Sequence, residues 1–129
     1  MISTSAFDYI NVLDKAADAS WTRETLIANN IANADTPGYK RQDIDFQTAL
    51  RSELSRYKYI SLDRKMRAVD LSELNPEVYT DSVNYSYRLD GNNVDIDTEQ
   101  VELASEQIKY QALTTSITSE FERLRAVIK

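Results

Sequence analysis

The chain has 129 residues, a formal net charge of −6, and neither cysteine nor histidine. Those absences exclude Cys/His zinc sites, thiol nucleophiles, disulfides and Ser-His-Asp chemistry, leaving carboxylate, Lys, Tyr and Ser/Thr groups. The acidic balance argues against a general nucleic-acid binder. The charge is uneven, however. Residues 40–67 hold eight basic side chains against four acidic ones, whereas residues 70–106 hold ten acidic side chains against Arg88 alone. Such segments are either two solvated faces of opposite sign or surfaces that meet between copies or partners. The length fits one domain. No uninterrupted apolar run suits a signal peptide or a membrane span, which taken alone predicts a cytoplasmic protein.

Two glycines and two prolines punctuate the chain at Pro37-Gly38, Pro76 and Gly91, dividing it into a front helix, a middle and a back helix. The front helix is predicted over residues 5–34. Ala6, Ile10, Leu13, Ala17, Ile27, Ile31 and Ala34 recur on one stripe that Ser20 and Glu24 interrupt, with Trp21 placed to cover the gap. Pro37 forces the helix to stop by Asp35-Thr36. Thr36-Pro37-Gly38-Tyr39 has the type II turn pattern, with proline at the first central position and glycine at the second. A short helix follows, capped by Asp43 or Asp45 and carrying Phe46, Leu50 and Leu54. From Arg56 to Thr80 the expectation is extended or mobile chain. Val83, Tyr85, Tyr87 and Leu89 alternate as in a half-buried strand, and Asp90-Gly91 is suited to close a small β-hairpin with residues 93–96.

The back helix is predicted over residues 98–128, capped by Asp97 with Gln100 completing a capping box. Its stripe reads Val101, Ala104, Ile108, then Tyr110, Leu113, Ile117, Phe121, Leu124 and Ile128. The fold class is therefore mainly α. Two long terminal helices pack as an antiparallel coiled-coil-like pair around an irregular middle that holds a short helix and a small hairpin. The same periodicity serves a unit that completes its core against neighbouring subunits and a closed bundle.

Asn29, Asn30 and Asn33 crowd the end of the front helix, where asparagine is a poor helix former. Flanking alanines permit close approach and the amides can bond a neighbouring backbone; a solvated helix end with Asn caps is the simpler reading. The run Ala28-Asn29-Asn30-Ile31-Ala32-Asn33-Ala34-Asp35-Thr36-Pro37-Gly38-Tyr39 resembles the N-terminal signature of the bacterial flagellar axial proteins, the rod and hook family. A second block, Asp90-Gly91-Asn92-Asn93-Val94-Asp95 continuing through Gln107-Ile108-Lys109-Tyr110-Gln111-Ala112-Leu113 to residues 124–128, resembles the proximal rod members. The stretch from Leu54 to Asn84 matches no family pattern.

The resemblance implies a structural subunit without catalytic residues, cofactor or metal, whose terminal helices pack inside a tube. It implies as partners other copies of the chain, other rod proteins, the membrane (MS) ring with its rod-ring adaptor, and the flagellar type III export apparatus, with no nucleic acid. It also replaces a cytoplasmic location with the basal body, reached without a cleaved signal peptide. Within that reading Asn29, Asn30, Asn33, Pro37, Gly38, Tyr39, Tyr110, Leu113, Ile117, Phe121, Leu124 and Ile128 form the expected assembly interface. Two other readings use the same residues. A Ca²⁺ site would draw on Asp90, Asn92, Asp95, Asp97 and Glu99, although Gly91 at the second position and Val94 at the fifth depart from the EF-hand pattern. A cytoplasmic adaptor or export chaperone would use the apolar stripes to hold a client, but has no need for the Asn-Ala-Asp-Thr-Pro-Gly-Tyr block.

Overall fold

The computed structural model describes residues 5–82 and 88–128. In chain order they form α1 (Ser5–Ala32), β1 (Gln42–Asp43), α2 (Phe46–Ser55), α3 (Leu62–Ala68), a 3₁₀ turn (Leu71–Leu74), β2 (Tyr79–Thr80) and α4 (Ile96–Ile128). No helix among the described residues is long and apolar enough to cross a membrane.

Both long helices lack internal glycine and proline, which is why they run for 28 and 33 residues without a break. The caps of α2 and α4 sit where a carboxylate reaches the first free N–H groups. Asp45 accepts from Thr48 N at 3.0 Å and starts α2. Asp95, not Asp97, starts α4, accepting from Asp97 N at 3.1 Å and Thr98 N at 3.4 Å. Asp97 therefore lies inside the first turn, where its charge faces the positive end of the helix.

Two further expectations are corrected. Residues 62–74 are not extended chain. Ser61 accepts from Arg64 N and starts α3, with Asp63 in the first turn and Lys65 and Arg67 in the last, the charge order that suits the helix dipole. Asp70 accepts from Ser72 N and starts the 3₁₀ turn. The small antiparallel sheet is also built differently: β1 pairs with β2, Gln42 opposite Thr80 and Asp43 opposite Tyr79. Residues 93–96 form no strand, because Asn92 and Asn93 are drawn into side-chain hydrogen bonds and α4 begins at Ile96. The strand expected at residues 83–87 lies outside the described residues.

The chain divides into two compact units. The first takes residues up to Ala19, Asp45–Pro76, and Gln111 onward. Ile10, Val12, Ala17, Phe46 and Leu74 are buried in it. Tyr9 donates to Asp63 at 2.8 Å and Lys15 to Asn75 at 2.9 Å, tying the start of α1 to α3 and the 3₁₀ turn. Glu53, buried on α2, accepts from Asp70 N at 3.2 Å.

The second unit takes Ser20–Ile44 and Glu77–Tyr110. Here α1 packs on α4 with antiparallel register: Ser20 reaches Glu106, Arg23 reaches Glu106 and Glu102, and Asn30 reaches Glu99. Trp21 stacks at a tilt on Tyr110, ring centroids 5.7 Å apart, rather than covering the Ser20 gap. Ser20 is itself buried and donates to the Glu106 carbonyl.

Candidate functional site

In the second unit the end of α1 meets the loop before α4 through several hydrogen bonds. The α1 helix ends at Ala32, and the chain turns through Thr36-Pro37-Gly38-Tyr39. Tyr39 N donates to Thr36 O at 3.2 Å and Gly38 has φ +72°, so the turn is type II as its sequence predicts.

The two sequence blocks are bonded to each other. Gly38 N donates to Asp90 O at 2.7 Å, Asn93 N to Tyr39 O at 3.3 Å, and Arg41 N to the Asn93 side chain at 2.8 Å. Lys40 donates to Gly91 O. Gly91, at φ +78°, lies so close that a Cβ there would touch the Gly38 Cα at 3.7 Å. Asn92, 1 % exposed, donates from one Nδ2 to the carbonyls of Asn33, Ala34 and Thr36, each at 2.9 Å, and accepts from Val94 N at 2.7 Å. Its amide thus satisfies the carbonyls of the chain leaving α1, which have no helical partners.

Asn30 plays the matching part from α1. Fully buried, it donates to Gln42 O at 2.9 Å and Glu99 Oε2 at 3.1 Å, and accepts from Gln42 N at 2.9 Å and Tyr39 OH at 3.1 Å. All four hydrogen-bonding positions of the amide are filled within the subunit. Burial, then the charge of Glu99, raises the Tyr39 phenol above its ordinary pKa, so the phenol stays a donor.

Beneath this lies a charge network. Arg41 donates to Glu99 at 2.6 Å, Asp43 at 3.2 Å and Asp81 at 3.3 Å. Arg23 donates to Glu106 at 2.8 Å, and to Asp43 and Glu102 at 2.9 Å. Glu99 and Glu106 are each 2 % exposed, and Lys109 stands 3.6 Å from Glu106. Burial opposes ionisation of Asp43, but hydrogen bonds and charge from Arg23, the Ile44 N–H and Arg41 outweigh it and hold the carboxyl below the ordinary range. Burial likewise opposes the charge of both arginines, and their carboxylates outweigh it, leaving them more firmly protonated than usual.

The expected interface residues part company here. Asn29, Pro37 and Gly38 are exposed, whereas Asn30 is enclosed and Asn33 bonds locally, donating to Asn29 O and accepting from Thr36 Oγ1. Tyr39 is half-buried against Asn30. Tyr110, Leu113, Ile117 and Leu124 are half-buried, and Phe121 and Ile128 are exposed. In the first unit Phe7, Phe121, Leu124, Arg125 and Ile128 line an open groove of about 480 Å³. Val101, Ala104 and Ile108 do not continue that stripe inward: they are exposed, and Glu99 and Glu106 occupy the inner face. The step from Ile108 to Tyr110 explains the difference, since two residues turn roughly 200° around a helix. Sequence reasoning missed Arg23 and Glu106 and did not bring Arg41 and Glu99 together, because a buried face made of charges is invisible to apolar periodicity. The residues of the Ca²⁺ reading are otherwise engaged: Asp90 with Arg88, Asn92 with carbonyls, Asp95 as the α4 cap and Glu99 with Arg41. Among the described residues no group of three carboxylates is placed to hold a metal ion.

Residues 25–40, the end of α1 and its turn, match the family model described as flagella basal body rod protein. The chain is 40 % identical over 120 residues to the flagellar basal body rod protein FlgB of Bacillus subtilis, covering 92 % of each chain. It belongs to the flagellar basal body rod protein family. It is also 32 % identical over 114 residues to FlgB of Salmonella typhimurium (83 % of each chain) and 30 % identical over 129 residues to FlgB of Borrelia hermsii (93 % of this chain, 95 % of the relative). The family is structural, not enzymatic, and places the chain in the flagellar basal body as a rod component assembling with other basal-body parts. The matched stretch coincides with the segment whose side chains and carbonyls are held by the loop before α4, so the motif reads as the fastening of that turn.

Proposed function

We propose that the chain is a subunit of the proximal rod, polymerising through its terminal helices to join the membrane ring to the distal rod and transmit torque. The observation that supports this most is the apolar surface along both long helices: Phe7 and Trp21 on α1, and Val101, Ile108, Phe121 and Ile128 on α4 are all more than half exposed. Apolar side chains gathered on an exposed face, as Val101 and Ile108 are on α4 and as Phe7, Phe121 and Ile128 are around one groove of the first unit, mark surfaces that meet other proteins. Asn29, Pro37, Gly38, Tyr110, Leu113, Ile117, Phe121, Leu124 and Ile128 are the residues we assign to contacts between subunits. Asn30, Asn33 and Tyr39 act by setting the direction in which the chain leaves α1. The partners are other copies, other rod proteins, and the membrane ring with its adaptor. Delivery to the periplasmic side runs through the flagellar type III apparatus without a cleaved signal peptide.

An in-frame deletion in the native host, complemented in trans, tests the reading by motility and electron microscopy of basal bodies. The expected result is loss of hook and filament with a rodless ring left in the membrane, restored by the complementing copy. Intact flagella in the deletion strain would overturn it.

A further inference from the structure

Two surfaces of the chain, one in each unit, contrast in relief and charge: a groove with a basic rim and an exposed helix face headed by acids. In the first unit, Leu50 and Leu54 of α2 floor an open groove of about 550 Å³, bordered by Gln47, Arg51, Ser55 and Lys65. The segment around it, residues 45–68, carries Arg51, Arg56, Lys58, Arg64, Lys65 and Arg67 against Asp45, Glu53 and Asp63. Those three acids are engaged: Asp45 caps α2, Glu53 is buried against Asp70 N, and Asp63 accepts from Tyr9. Neither Arg51 nor Lys65 has a carboxylate partner among the described residues. The groove is apolar at its floor and cationic at its rim.

In the second unit, the outward face of α4 is the converse. Asp97, Val101, Ala104 and Ile108 fall within a narrow arc at 100° per residue, and all four are exposed, Val101 and Ile108 each 69 %. The ridge from Val101 to Ile108 is roughly 10 Å long. Of the five carboxylates from Asp95 to Glu106, Glu99 and Glu106 are buried and Glu102 pairs with Arg23, so the exposed acids at the head of the ridge are Asp95 and Asp97.

We propose that the α2–α3 groove of one copy receives the Val101–Ala104–Ile108 ridge of a second copy, with Asp97 at the head of the ridge facing Arg51 and Lys65. This rests on the assembly reading above and names surfaces for it. Opposite charge on the two patches fixes orientation and disfavours groove-to-groove or ridge-to-ridge pairing. Because the patches differ, the contact is heterologous: each copy offers a groove to one neighbour and a ridge to another, so the arrangement propagates as a ring or an open helical array rather than pairing as a two-fold dimer.

The absence of native cysteine makes the test clean. Two single-cysteine variants, Ser55→Cys at the groove and Ala104→Cys on the ridge, are co-expressed in a host lacking the native copy, and isolated basal bodies are oxidised. No single chain can crosslink to itself. The expected product is a Ser55→Cys/Ala104→Cys dimer, about tenfold more abundant than with Ser82→Cys replacing Ser55→Cys, because docked thiols share a high effective concentration. Arg51→Glu with Lys65→Glu should abolish this excess, and adding Asp97→Lys should restore part of it. Rods that assemble with no excess crosslinking, or with Ala104→Cys joined to a different protein, would overturn this contact while leaving the assembly reading intact. Failure of the native chain itself to restore rods would instead overturn the assembly reading.

Discussion

The two compact units of this chain are held by different forces. The first buries Ile10, Val12, Ala17, Phe46 and Leu74, and Glu53 is the single buried polar or charged residue among its described residues. The second buries Leu26, Ile27, Ala34, Ile44 and Val94, but beside them Ser20, Asn30, Asp43, Asn92, Glu99 and Glu106. An apolar core tolerates small shifts, because dispersion and hydrophobic burial carry no direction. A core of amides and ion pairs has one arrangement in which every group is matched, and each mismatch leaves a buried polar group unsatisfied. The first unit is thus built for stability and the second for definition of shape, which suits the unit that holds the turn matched by the rod family.

The sharpest way to break this contrast is Arg23→Leu, which leaves Glu106 buried without its guanidinium. We expect a loss of about 3–5 kcal/mol, read as a fall in the urea midpoint. Leu74→Ala, at a residue 1 % exposed, should cost about 2–4 kcal/mol by the cavity it leaves in the first unit. Hydrogen exchange should locate the two losses in different units; a uniform loss of protection from either variant would show that the units are not separable.

Acid distinguishes the units next. Asp43 has a folded pKa below its ordinary value, so the unfolded chain binds its proton first. The stability Asp43 contributes is complete above the ordinary carboxylate value of about 3.9 and disappears as pH falls toward the depressed folded value. Urea titrations at neutral pH and near pH 3 should show a loss that Asp43→Asn reduces; an unchanged slope in the variant would mean that Asp43 does not carry the dependence. The smallest effect is expected from Gly38→Val. No atom lies within 4 Å of the position its Cβ would take, so the cost is backbone strain at φ +72° alone, about 1–3 kcal/mol. Circular dichroism melts should register it without loss of helix content.

How far these units were legible depends on the kind of force. The long helices follow from uninterrupted helix formers, and the type II turn at Pro37-Gly38 follows from the φ that each residue supplies. The ends of α2 and α4 were readable only to within two residues, since Asp43 and Asp45, or Asp95 and Asp97, are equally good caps in isolation. Asp43 is drawn away by Arg23 and Arg41, partners distant in sequence for the first of the two. The helix α3 was missed although Ser61, Asp63, Lys65 and Arg67 stand in the right order, because it presents no fully buried residue and hence no apolar stripe. Nothing in the sequence announced that Asn92 would reach back to the carbonyls after α1, since a long-range hydrogen bond leaves no periodic trace.

The antiparallel charge network of the second unit also has a mechanical meaning. If α1 slid along α4 by one helical turn, roughly 5 Å, Ser20 would lose the Glu106 carbonyl and Asn30 would lose Glu99, while Arg23, held between Glu102 and Glu106 one turn apart, would keep only one of its two partners on α4. An oily interface creeps under load because one leucine can replace another at each step. Here a carboxylate returns to Arg23 only after a full turn, and a shorter slip leaves buried polar groups unmatched, so the helix pair resists small shear in a way an apolar seam does not, behaving less like a bearing than like a keyed joint.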